Sequence, residues 1–179
     1  RINRRQRQMC IRDSDNTIKE YELNGLKLQL KLQECKYVCK LYEYGTYKVI
    51  DEKILNLSRH INDNIEEHYG YYSIIERMTS SLYKKKNEMM KPSVENFWLI
   101  KKIAKQVLEF LECSHSNNIA HLDLKHENIM FNSCDNVRII DFGFSCKIGS
   151  KLNMILGTPD YIPPENYLNK NSEELDIYI

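Results

Sequence analysis

The chain has 179 residues, 42% of them hydrophobic, enough to bury one substantial core and a second small one. Lys+Arg of 26 against Asp+Glu of 25 leave a formal net charge of +1, which argues against a protein that coats nucleic acid or membrane by charge. The 6 cysteines form no CxxC pair and no zinc-ligand spacing with histidine, and no apolar run reaches the length of a membrane span. No signal-peptide pattern opens the sequence, so free thiols in a reducing cytosol or nucleus are expected. Arg1, Arg4, Arg5, Arg7 and Arg12 gather at the start, as a solvated segment or a docking patch.

From Thr17 to Leu32, Tyr21, Leu26, Leu28, Leu30 and Leu32 recur among charged residues in a helical pattern that Gly25 weakens. Val38 to Tyr44 alternates as a strand does. Residues 51–68 are polar and charged, the composition of an exposed insertion. Tyr69 to Glu76 is aromatic and β-branched, a second strand, and Arg77 to Ser81 follows without helical period. Pro92-Ser93 then opens the clearest helix. Ser93 suits its N-cap and Glu95 its first turn, while Phe97, Ile100, Ile103, Ala104, Val107, Leu108 and Leu111 form one apolar stripe. Ile129–Phe131 and Val137–Ile140, joined by the polar turn 132–136, predict a hairpin.

That hairpin is bracketed by residues with chemical meaning. His121-Leu122-Asp123-Leu124-Lys125-His126-Glu127-Asn128 places a carboxylate, an ammonium and an amide on one short loop. Asp141-Phe142-Gly143 returns with a second carboxylate ahead of a glycine, and Gly157-Thr158-Pro159-Asp160-Tyr161-Ile162-Pro163-Pro164-Glu165 follows. A base for a hydroxyl, a cation for a phosphate and oxygen ligands for Mg²⁺ are the parts that phosphoryl transfer needs.

These three ordered blocks resemble the catalytic core of a eukaryotic protein kinase of the serine/threonine type. The resemblance implies an α+β, bilobal protein-kinase-like fold, truncated at both ends. A partial small lobe would occupy 1–76, a hinge 77–81, and a partial, mainly helical large lobe 82–179 with the catalytic loop and activation segment. ATP and Mg²⁺ are the implied cofactors and proteins the implied substrates, with no nucleic-acid or membrane partner. An intracellular location, cytoplasmic or nuclear, goes with this, and the oligomeric state is open.

Residue by residue, the resemblance makes Asp123 the catalytic-loop aspartate that accepts the substrate hydroxyl's proton, and Lys125 the cation on the transferring phosphoryl group. Asn128 and Asp141 would hold Mg²⁺. His121 would pack beneath Phe142, ahead of Gly143, with no proton chemistry of its own. Thr158 resembles the threonine that bonds the catalytic aspartate and lysine, and with Lys125 it favours serine/threonine specificity. Ile75-Glu76-Arg77-Met78 resembles the hinge: Ile75 the gatekeeper, the Glu76 carbonyl and the Met78 N–H the adenine readers. Glu165 matches the glutamate that pairs with a large-lobe arginine, Asp176 the start of a helix bracing the catalytic loop, and Glu127 a contact for basic substrates or a solvated loop charge.

The sequence also departs from the pattern. None of its 6 glycines falls into G-x-G-x-x-G, and no Val-Ala-x-Lys strand precedes the first helix. The chain therefore reads as the central fragment of a kinase domain, inactive by itself. For the first helix's glutamate, Glu22 is preferred to Glu20 because Leu26, one turn on, is apolar where Asn24 is polar. Leu122 replaces the arginine that receives an activation-loop phosphate, and Met154 stands where the phosphorylated residue often sits. Subfamily stays open, since His121–Lys125 resembles calmodulin-regulated kinases and Gly157–Glu165 Aurora-like ones. The alternative to an enzyme is a pseudokinase, a binding scaffold; Asp123, Lys125, Asn128 and Asp141 together favour the enzyme.

Overall fold

β1 (Arg7–Arg12), β2 (Leu41–Val49) and β3 (His68–Glu76) form an antiparallel sheet in the order β1-β3-β2, and α1 (Asn16–Lys31) lies in sequence between the first two. The computed structural model describes residues 7–12, 16–49, 68–152, 156–162 and 175–176. After β3 come β4 (Ser80–Ser81), α2 (Leu82–Met89), the long α3 (Val94–Ser116) and β5 (Ile119–Ala120). The hairpin β6 (Ile129–Phe131) and β7 (Val137–Ile139) follows, with β4 added to its edge through β6. Three short strands complete the fold: β8 (Cys146–Lys147) pairs β5, and β9 (Lys151–Leu152) pairs β10 (Leu175–Asp176). A 3-10 turn spans Pro159–Tyr161.

Each half of the chain owes its position to the β6–β7 hairpin. Tyr37–Cys39 does not join β2, as the alternation from Val38 suggests; it docks on β7 instead. The Ile139 N–H donates to the Tyr37 carbonyl at 2.7 Å and the Cys39 N–H to the Ile139 carbonyl at 3.0 Å. Val38, Val137, Ile139, Phe131 and Phe110 are almost wholly buried there, with Leu28 of α1 and Leu32 just after it in the same core. Gly25 of α1 approaches the backbone of Phe142 so closely that a Cβ would lie 2.4 Å from its carbonyl oxygen. The residue that weakens the helix in isolation is the one that lets it dock.

Helix α3 begins as read: the Ser93 side chain accepts from the Asn96 N–H at 3.0 Å, and Glu95 sits in the first turn. Its buried face is rotated from the expected stripe. Ile103, Gln106, Phe110 and Ser114 point inward, whereas Phe97, Ile100 and Leu108 are exposed. Two polar residues belong to the buried face because each satisfies backbone that the strands leave open. Gln106 accepts from the Val137 N–H at 2.8 Å, and Ser114 donates to the Ile119 carbonyl at 2.7 Å.

Three further expectations need correction or fall outside the described residues. Asp176 is the second residue of β10, opposite Lys151, and is extended where a helix start was expected. Glu165, Met154 and the insertion up to residue 67 lie outside the described residues. Cys35 and Cys113 are not free thiols: they form a disulfide between the turn after α1 and the last turns of α3, with a Cα–Cα separation of 5.9 Å. Local sequence could not reveal it, since the two are 78 residues apart and come together only when the turn after α1 meets the end of α3. Cys134 and Cys146 are free.

A loop of this length, closed covalently, stabilises by about 4 kcal/mol through the unfolded state, or roughly 10 °C in Tm for a chain of this size. Reduction should lower Tm by that order in thermal melts, and Cys35→Ser should remove the difference between reduced and oxidised samples.

Candidate active site

The 121–128 loop is set by packing beneath it. Phe142 is buried at 2% exposure, with its ring 4.9 Å from that of His121 and 6.3 Å from that of Phe110. His121 Nδ1 accepts from the Asp123 N–H at 3.2 Å, which puts the ring proton on Nε2, facing the Ile140 carbonyl at 3.0 Å. The neutral imidazole thus joins the two strands of the site. Burial pushes His121 below its ordinary value of 6.5, against the Ile140 carbonyl and the nearby Asp141 and Asp123 charges, which favour the cation.

Asp123 is 3% exposed, and both of its oxygens are occupied. Oδ1 accepts from the Thr158 hydroxyl at 2.6 Å and the Thr158 N–H at 3.0 Å. Oδ2 takes Lys125 Nζ at 2.9 Å and Asn128 Nδ2 at 3.0 Å. Asn128 also donates to the Asp123 carbonyl, and Lys125 Nζ donates to Thr158 Oγ1 at 2.7 Å. Burial by itself would raise the Asp123 carboxyl, but hydrogen bonds from Thr158 and Lys125, with the lysine's charge, outweigh it and hold the group below its usual range. Asp123 is therefore a carboxylate at neutral pH.

Asp141 adopts a left-handed backbone, φ +63°, and its Oδ1 accepts from the Gly143 N–H at 3.3 Å. The Ile140 N–H donates to the Asn128 carbonyl at 3.1 Å, so the segments carrying Asn128 and Asp141 run side by side. Both present hard oxygen atoms of the kind Mg²⁺ prefers. Among the described residues no cluster of three or more His, Cys, Asp or Glu forms a closed cage.

The segment from Leu156 to Ile162 approaches through backbone. Leu122 has φ +62°, and Gly157, at φ +111°, lies so near that a Cβ on it would be 2.7 Å from the Leu122 carbonyl oxygen. Only glycine fits that approach, and it delivers Thr158 to Asp123. A second tie joins the same two segments: His126 Nδ1 lies 2.6 Å from the Tyr161 hydroxyl.

The hinge-like segment is built differently. Ile75 and Glu76 end β3 and are half-buried, and Met78 is buried. The Glu76 carboxylate meets Arg138 Nε at 2.7 Å and Asn132 Nδ2 at 3.2 Å. Neither partner was singled out from sequence. The available signal was an arginine between Val137 and Ile139, which the strand's alternation turns away from the core. In α1 the stripe facing the core is Gly25, Leu28 and Gln29, continued by Leu32 just after the helix, with Leu26 only half-buried, so the apolar partner expected one turn after Glu22 is not the most buried residue there.

The sequence signature of the protein kinase domain matches residues 12–178. The fold and the arrangement around Asp123 thus have a family: this chain belongs to the protein kinases, with an α+β kinase-domain architecture. Among similar proteins, the human phosphorylase b kinase gamma catalytic chain, liver/testis isoform, is 46% identical over 65 residues, 35% of this chain and 16% of that one. Calcium-dependent protein kinase 5 of Plasmodium berghei is 43% identical over 82 residues, 43% of this chain and 15% of that one. A Dictyostelium discoideum protein described as a serine/threonine-protein kinase is 42% identical over 80 residues, 44% of this chain and 5% of its own length. Each match spans less than a fifth of the relative. No helix among the described residues is long and apolar enough to cross a membrane.

The buried neutral His121 has a consequence for pH. Its folded pKa lies below 6.5, so as pH falls through 6.5 the unfolded chain takes up a proton that the folded state refuses. Stability is therefore full above that value and declines below it, by up to about 1.4 kcal/mol per pH unit from this group. Melting between pH 7.5 and 5.5 should show a steeper decline for the wild type than for His121→Phe.

Proposed function

We propose that the protein containing this chain is an ATP-dependent serine/threonine kinase, with Asp123 as the group that orients the substrate hydroxyl and accepts its proton. The observation carrying this reading is the Asp123 carboxylate held by Thr158, Lys125 and Asn128 at 2.6–3.0 Å. A carboxylate has about four lone-pair sites, and all four are engaged here. Binding of a substrate hydroxyl must therefore release one donor. Lys125, a long side chain at 22% exposure, is the natural one to leave. Moving to the γ-phosphate, it would neutralise charge that develops in transfer while freeing a lone pair for the hydroxyl.

On this reading Asn128 and Asp141 hold Mg²⁺, which supplies charge neutralisation at the phosphates. The Glu76 carbonyl and the Met78 N–H read adenine, with Ile75 beside them. Residues 1–76 serve as small lobe, 77–81 as hinge and 82–179 as large lobe. Glu22 and Glu165 keep their assigned supporting roles as proposals. ATP, Mg²⁺, protein substrates and an intracellular setting follow from the same reading.

Asp141→Asn exchanges a carboxylate for a neutral amide of nearly equal size, so packing is preserved while charge at the metal is lost. In the full-length protein it should reduce Mg²⁺-dependent phosphorylation of a peptide at least about a hundredfold, with Tm within a few degrees. Near-normal turnover in the folded variant would remove Asp141 from the mechanism. A full-length wild type that transfers no phosphate under any substrate condition would favour the scaffold reading.

Leu122 carries no positive charge that a phosphate must offset, and the close Leu122–Gly157 approach orders the segment by packing. Phosphatase treatment should therefore leave the rate of the full-length enzyme within about threefold, a barrier change under roughly 1 kcal/mol. A loss of a hundredfold or more would show that another cation has taken the arginine's place.

A further inference from the structure

Both oxygens of the Glu76 carboxylate are taken by the β6–β7 hairpin. Arg138 Nε donates to Oε2 at 2.7 Å and Asn132 Nδ2 to Oε1 at 3.2 Å, and the Glu76 and Arg138 side chains are each 16% exposed. The partners are themselves restrained. Asn132 Oδ1 accepts from the N–H groups of Cys134 and Asn136, and Arg138 Nη1 donates to the Val137 carbonyl. The backbone around them is tied as well. The Glu76 N–H donates to the Lys40 carbonyl at 2.8 Å, and the Thr79 N–H and hydroxyl both donate to the Phe131 carbonyl.

The four residues from Glu76 to Thr79 are thus fastened at each end, with Arg77 and Met78 held between. Stability is a weak explanation for such an arrangement, because a largely buried ion pair often contributes no more than an apolar pair of the same volume. Placement is a better one. A planar ligand read by one carbonyl and one N–H needs those two groups at a set spacing, and a segment ordered during folding has no ordering cost left when the ligand arrives.

We infer that Arg138, acting with Asn132 through the Glu76 carboxylate, is a positioning residue for nucleotide recognition: it holds the Glu76–Met78 backbone in register for the adenine edge. This rests on the kinase reading above. It assigns Arg138 no contact with ATP, so its influence should fall on the base and spare the phosphates.

Two ligands separate the possibilities in the full-length protein: a fluorescent ATP analogue with Mg²⁺, and inorganic tripolyphosphate with Mg²⁺, which has no base. Arg138→Met should weaken the ATP analogue at least about tenfold while changing tripolyphosphate by less than about twofold. Because Arg138→Met strands a buried carboxylate, the pair Glu76→Gln/Arg138→Met, which removes both charges, is measured beside it. It should fold like the wild type and show a loss of ATP affinity no larger than Arg138→Met, as expected when two residues act through each other. Arg138→Lys should restore part of the affinity. Wild-type ATP binding in the folded double variant, or equal losses for both ligands, would overturn the inference and leave the kinase reading standing. A wild type that binds neither ligand would refute both.

Discussion

A buried carboxylate must be paired, and the site around Asp123 is organised by that requirement. At 3% exposure the group has lost most of its water, and an uncompensated charge there would be costly. The donors that replace water come from its own loop, through Lys125 and Asn128, and from Thr158, 35 residues further along. Satisfying one charge therefore draws the segment carrying Thr158 onto the 121–128 loop. His126 and Tyr161 add a second rung to the same ladder.

The site depends in turn on the β6–β7 hairpin as a common base. Its β7 strand receives Tyr37–Cys39 by backbone hydrogen bonds, its Val137 N–H is satisfied by Gln106 of α3, and its Arg138 holds Glu76. The segment before β2, helix α3 and the end of β3 thus share one short element. The disulfide between Cys35 and Cys113 fastens the same junction from the other side, where the turn after α1 meets α3.

Two glycines make the approaches that side chains would block. Gly25 lets α1 reach the Phe142 backbone, and Gly157 lets the activation segment reach Leu122. Both contacts join backbone to backbone, so they do not rely on a charge at position 122. An arginine there is needed where a phosphate orders the segment. Here close packing is available to serve the same end.

The sequence by itself determined the family and most of the elements. Short-range blocks such as His121–Asn128 and Asp141–Gly143 carry their meaning in fixed local spacing, and the first helix, β3, the capped start of α3 and the hairpin follow from periodicity and turn residues. Tertiary structure decided what depends on residues far apart in sequence. It turned α3 so that Gln106 and Ser114 face inward and Phe97 and Leu108 outward, because unsatisfied strand backbone outweighed apolar count. It paired Cys35 with Cys113 across 78 residues, and set Arg138 and Asn132 on Glu76 across more than 50. None of those pairings leaves a local pattern, since each exists only once the chain has brought its segments together.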